Sequence, residues 1–128
     1  TRTGTMQTHL IIGGSGFIGR HVAAVLARHG HAVTLADRVS PARPLPRDIA
    51  DLVSFRPADL SRLSGDRKML DALVAQADVV HHYAWTTIPA SANRDPIDDL
   101  DDNVRSSVAL LEALRRRGGG RLVFASSG

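Results

Sequence analysis

The chain has 128 residues, 43% of them hydrophobic, which suits a single domain with a packed core. It holds no cysteine, which excludes disulfides and thiolate chemistry and suits a reducing, cytoplasmic setting; no apolar run approaches the ~18–20 residues of a membrane span. The net charge of +3 comes from scattered arginines with few aromatic residues, so neither a basic stripe nor a stacking platform points to nucleic acid.

Residues 1–5 precede Met6 and resemble a tag remnant, so residues 6–128 are read as the domain. An apolar run over 8–12 predicts the first strand. It feeds Gly13-Gly14-Ser15-Gly16-Phe17-Ile18-Gly19, a glycine-rich turn that opens into a helical pattern over 17–29. Gly13 allows a tight turn, Gly16 lets a pyrophosphate approach the backbone, and Gly19 lets helix and strand pack closely. The helix start then offers unpaired N–H groups and a positive dipole end to phosphates. Ile18, Val22, Val25 and Leu26 share one face and are expected inward, and Gly30 ends the helix.

A second strand over 32–36 leads to Asp37, 18 residues after Gly19. A carboxylate there can accept both hydroxyls of an adenosine ribose and repels a 2′-phosphate. Pro41, Pro44 and Pro46 mark a loop over 38–48, and 52–56 reads as the third strand. A helix over 66–76 with Met69, Leu70, Leu73 and Val74 inward precedes a fourth strand over 78–82. His81 and His82 are neighbours in that strand and so point to opposite faces, which disfavours joint metal binding; no metal site is expected. A loop with Pro89 and Pro96 follows, then a long helix over 97–117. The acidic run Asp98-Asp99 and Asp101-Asp102 suits that helix's start, and Arg115-Arg116-Arg117 suits its end. Gly118-Gly119-Gly120 stops the helix, and 121–125 reads as a fifth strand.

Alternating strands and helices argue for an α/β fold, a Rossmann-type doubly wound parallel sheet with right-handed crossovers, truncated after about the fifth strand. Ligands in such sheets bind at the carboxyl ends of the strands. Here those ends carry Gly13–Gly16, Asp37, Asp59, Tyr83–Thr87 and Ser126–Ser127.

With these segments in order, the chain resembles the NAD-dependent epimerase/dehydratase family, extended short-chain dehydrogenases/reductases that include UDP-glucose 4-epimerases. The resemblance spans residues 8–128 and rests on the Gly13–Gly19 turn, Asp37, Asp59-Leu60, Val79-Val80-His81, Asn103-Val104 and the run Leu122 to Ser127. It implies NAD as cofactor. Phe17 and Ile18 would supply N–H groups beside the pyrophosphate, and Asp37 would hold the adenosine ribose. Arg38 would stack on adenine or accept a 2′-phosphate, leaving NADP open. Asp59 would bond the adenine amino group, with Leu60 on the ring. Residues 82–86, Tyr83 and Ala84 among them, would run past the nicotinamide ribose, and Asn103 would reach from the long helix to fix that loop or the cofactor. Tyr83 and Trp85 depart from the family's small apolar run, and their rings could narrow the nicotinamide pocket or shape a sugar site.

The family's acid–base pair is a Tyr-x-x-x-Lys. This chain has Tyr83 and Lys68 and no such pair. The resemblance therefore implies the cofactor-binding portion of a sugar-nucleotide epimerase or dehydratase, inactive alone. Ser127, or Ser126 with the register slipped by one, would orient the substrate hydroxyl. A nucleotide-sugar would be the full-length protein's substrate. Two alternatives stay open: a non-catalytic NAD(H)-binding module, and an NADP-dependent reductase of a non-sugar carbonyl. An open edge at the fifth strand and the long helix, which resembles a family dimer helix, make a homodimer the expected partner state.

Overall fold

The computed structural model describes residues 6–13, 15–41, 44–59, 65–83 and 96–124, with the side chains of 96 and 98–103 excepted. Five parallel strands form one sheet in the order β3-β2-β1-β4-β5: β1 (Thr8–Ile12), β2 (Ala32–Asp37), β3 (Val53–Pro57), β4 (Val79–His82) and β5 (Arg121–Phe124). Among the described residues the strands are joined by the helices α1 (Phe17–Arg28), α2 (Arg67–Val74) and α3 (Pro96–Arg116), and a 3-10 turn (Ala50–Leu52) leads into β3. The expected α/β fold is the one observed, with β1 at the centre, paired to β2 on one side and β4 on the other.

Alternate residues of β1 face opposite sides. Leu10 and Ile12 join Leu70, Val74, Val80 and Leu110 under α2 and α3. Ile11 joins Ala23, Ala27, Val33, Leu35 and Ile49 under α1. The strands at the centre are almost wholly buried because both faces are covered, whereas β3 and β5 are largely exposed edges.

The buried side of α1 differs from the expected one. Gly19, Ala23 and Ala27 are buried, Val22 and Leu26 flank them, and Ile18 and Val25 stand 52% and 55% exposed. The inward face is turned by roughly a third of a turn from the face of larger residues. Small residues four apart let the helix axis come close to the sheet, and the bulkier ones then fill its flanks.

Element ends shift for local reasons. Asp66 is the N-cap of α2 rather than its first turn, its carboxylate accepting the Met69 N–H at 3.1 Å. Asp78 lies before β4 instead of within it, and its carboxylate accepts the Thr8 N–H at 2.8 Å. Leu52 belongs to the 3-10 turn, not to β3. The arginine cluster also acts away from its own helix end. Arg117 donates to the carbonyls of Val74 and Ala77, so it caps α2, and Arg116 pairs with Asp71 of α2. Arg115 stays on α3 with Glu112. Gly118 ends α3 at φ 98°, a left-handed conformation that favours glycine.

On the side of α3 away from the sheet, Ile97, Val104, Val108 and Leu111 form an exposed apolar stripe. Among the described residues, no helix is long and apolar enough to cross a membrane.

Candidate functional site

The carboxyl ends of the inner strands are fastened to one another just where each strand stops. Gly13 donates its N–H to the Ala36 carbonyl, Tyr83 to the Ile12 carbonyl, and Ala58 to the Asp37 carbonyl, each at 2.8 Å. This brings the glycine turn, Asp37, the chain entering Asp59, and the chain leaving β4 to one edge.

Gly13 takes φ 83°, which an L side chain rarely adopts, and this sends the chain up and over the end of β1. Gly16 is the extended N-cap of α1; its N–H donates to the Gly13 carbonyl at 3.3 Å, and its carbonyl accepts the Arg20 N–H at 3.0 Å. No side chain caps this helix, and its first turn has no acidic residue. The N–H groups of Phe17, Ile18 and Gly19 are those an α-helix cannot satisfy internally. Among the described residues, a Cβ added at Gly16 would meet the Gly13 carbonyl at an ordinary 3.5 Å. Phe17 is 80% exposed, its ring 4.4 Å from that of His21.

Asp37 is half-buried opposite this turn. Its Oδ2 accepts the Ser15 N–H at 3.1 Å and its Oδ1 accepts the Arg38 N–H at 2.7 Å. Arg38 is exposed beside it. The Ser15 hydroxyl donates to the Val39 carbonyl at 2.6 Å.

Tyr83 does not project over the edge. Its ring folds back along the α1 face of the sheet, and its hydroxyl shares a hydrogen bond with His81 Nδ1 at 3.0 Å. His81 Nε2 in turn shares one with His9 Nδ1 at 2.9 Å, and the His9 ring meets His31 edge-on. Burial, and next the neighbouring His9, hold His81 down to about 4 from 6.5. His9 is lowered by burial and then by His31, against a raising influence from Asp78, and its buried Nε2 has no hydrogen-bond partner among the described residues. Burial raises the Tyr83 phenol. His82 points to the other face, where Nε2 bonds the Ser107 hydroxyl at 3.0 Å, and burial lowers it. The two adjacent histidines thus occupy opposite faces. Among the described residues no group of three or more candidate ligands could hold a metal ion.

The structure therefore brings together Gly13, Gly16, Phe17, Ile18, Gly19, Asp37, Arg38, Asp59 and Tyr83 at one edge. Leu60, Ala84, Ser126 and Ser127 lie outside the described residues, as does the side chain of Asn103. Sequence reading missed Ser15, whose small polar side chain within a glycine motif was its only signal. It also missed His9, which becomes visible only once β1 and β4 are known to be neighbours. A cavity of about 170 Å³ lies elsewhere, between α2 and the sheet near Thr8, Thr34, Arg56 and Gln76.

The sequence profile of the NAD dependent epimerase/dehydratase family matches residues 9–128. A UDP-glucose 4-epimerase of Corynebacterium glutamicum is 31% identical over 121 residues, which cover 92% of this chain and 34% of that protein. Among solved structures, a UDP-glucose 4-epimerase from Stenotrophomonas maltophila with bound NAD and formylated UDP-arabinopyranose superposes with a TM-score of 0.80 at 29% identity, covering 95% of this chain and 37% of that one. The Bifidobacterium longum UDP-glucose 4-epimerase in complex with NAD+ and UDP gives a TM-score of 0.79 at 26% identity, with 94% and 37% covered. The chain spans about a third of the length of these relatives.

Proposed function

This chain belongs to the NAD-dependent epimerase/dehydratase family, and we propose that its carboxyl edge binds NAD as the cofactor-binding portion of a sugar-nucleotide epimerase or dehydratase. The observation that carries this reading is the Ser15–Asp37 bond, which sets a ribose-binding carboxylate against the open glycine turn. The residues fit such a ligand. The turn offers donors and a positive helix end to a pyrophosphate. An ionised carboxylate has about four acceptor sites, and two backbone donors leave room for a ribose diol. That negative charge also disfavours a 2′-phosphate, so NAD rather than NADP is the assigned cofactor.

In this proposal Phe17, Ile18 and Gly19 present N–H groups to the pyrophosphate. Asp37 holds the adenosine ribose, Arg38 lies along the adenine, and Asp59 with Leu60 borders it. Tyr83 and Ala84 pass the nicotinamide ribose with their backbone, and Asn103 steadies that loop. Ser127 orients a hydroxyl of the nucleotide-sugar. The bound nicotinamide would supply a hydride acceptor and donor for a sugar carbon. With no Tyr-x-x-x-Lys among these 128 residues, the acid–base pair would come from the rest of the longer protein, and this chain alone would not turn over substrate. The apolar stripe of α3 supports a second copy as its partner.

Calorimetry with NAD tests the site. Binding in the micromolar to millimolar range, worth about 4–8 kcal/mol, is expected. It should vanish in both Asp37→Ala and Gly16→Val, with melting curves taken alongside to show that each variant is folded. Undiminished binding in both variants would refute the assignment.

A further inference from the structure

We propose that Ser15 is a positioning residue for dinucleotide selection, its hydroxyl latching the segment after β2 onto the glycine turn so that Asp37 stays aimed at a ribose diol. The inference rests on the dinucleotide site proposed above.

Ser15 engages that segment twice. Its N–H holds Oδ2 of Asp37 at 3.1 Å, and its hydroxyl donates to the carbonyl of Val39 at 2.6 Å. Asp37 is the last residue of β2, and Val39 lies two residues on, with its side chain 69% exposed. One residue of the turn therefore fixes both the carboxylate and the course of the backbone that follows it. A serine in a phosphate-binding turn is ordinarily read as a donor to phosphate. Here the hydroxyl proton is committed to Val39, so Oγ turns only lone pairs toward an anion and cannot serve as that donor. Its effect falls on the ribose end of the site.

The latch matters because Asp37 and Arg38 favour opposite ligands from adjacent positions. The carboxylate accepts hydroxyls, and the exposed guanidinium suits a phosphate. With Val39 tied down, Asp37 stays in place and Arg38 remains outside. With Val39 released, the segment can swing, Asp37 loses its aim, and Arg38 can reach a 2′-phosphate.

The test measures NAD and NADP affinities of the 128-residue chain and its Ser15→Ala, Ser15→Thr and Asp37→Ala variants, with amide hydrogen exchange of the unliganded proteins alongside. Ser15→Ala keeps the backbone donor and removes the latch. It should narrow the preference for NAD over NADP about fivefold, the scale of one hydrogen bond, and speed exchange at Arg38, Val39 and Ser40. Ser15→Thr, which keeps the hydroxyl, should restore both. Equal weakening of NAD and NADP in Ser15→Ala, while Asp37→Ala abolishes NAD binding, would overturn the latch and leave the dinucleotide site standing. A folded wild-type chain that binds neither nucleotide would overturn the site and this inference together.

Discussion

On the side of α2 and α3, β1 and β4 contribute Leu10, Ile12 and Val80 to an apolar cluster closed by Leu70, Leu110 and Leu114. On the side of α1 the same two strands contribute Ile11, and beside it the ring chain His9–His81–Tyr83. The first face is stabilised by non-directional burial, and the polar pair His82–Ser107 sits on that side at the ends of the strands. The second depends on hydrogen bonds whose loss strands buried polar atoms. A pair of central strands can thus be buried on both sides and still have one side held mainly by apolar burial and one held by a hydrogen-bonded chain of rings.

Four measurements sharpen this contrast. The largest effect should come from Leu110→Ala, a fully buried side chain of the apolar face; chemical denaturation should show a loss of about 2–5 kcal/mol, independent of pH. His81→Phe should cost less, about 1–3 kcal/mol at neutral pH, because it leaves His9 Nδ1 and the Tyr83 hydroxyl without their partner. The proton dependence falls most on the ring chain, which holds two of the three lowered histidines. The folded His81 titrates at about 4 and the unfolded group at 6.5. Between these values the unfolded chain binds the proton that the folded chain refuses, so stability is present above pH 6.5 and is lost as pH falls toward 4. His9 and His82 are lowered as well and act in the same direction. His31 and Asp78 near His9 complete the charged surroundings. His81→Phe should flatten part of this slope, whereas a wild-type curve that is level from pH 6.5 to 4 would show that the ring chain is not buried as described. The smallest effect on stability, within about 0.5 kcal/mol, is expected of Val108→Glu on the outer stripe of α3; sedimentation tests the proposed second copy, which requires a wild-type dimer and a monomeric variant.

Much of the architecture was legible in the residues. The apolar run over 8–12 was read as the first strand, and the alternation of strands and helices as a parallel α/β sheet; both are observed. Three things were not legible, for one reason: each depends on which elements become neighbours. The inward face of α1 follows from how closely it can approach the sheet, so Gly19, Ala23 and Ala27 prevailed over Ile18 and Val25. Arg117 suits the end of its own helix in sequence, yet it reaches the carbonyls of α2 once α2 and α3 lie side by side. His9 and His81 stand 72 residues apart, and only the strand order brings their rings together.

That strand order has a consequence for the nascent chain. β1, β2 and β3 can pair soon after residue 57 emerges, but the other edge of β1 must wait for β4. Until residues 79–82 leave the ribosome, β1, which is almost wholly buried in the folded sheet, presents a free row of amides and carbonyls to other chains. The stretch of synthesis between β3 and β4 is therefore the interval in which a holdase chaperone would find this polypeptide most exposed to misassembly.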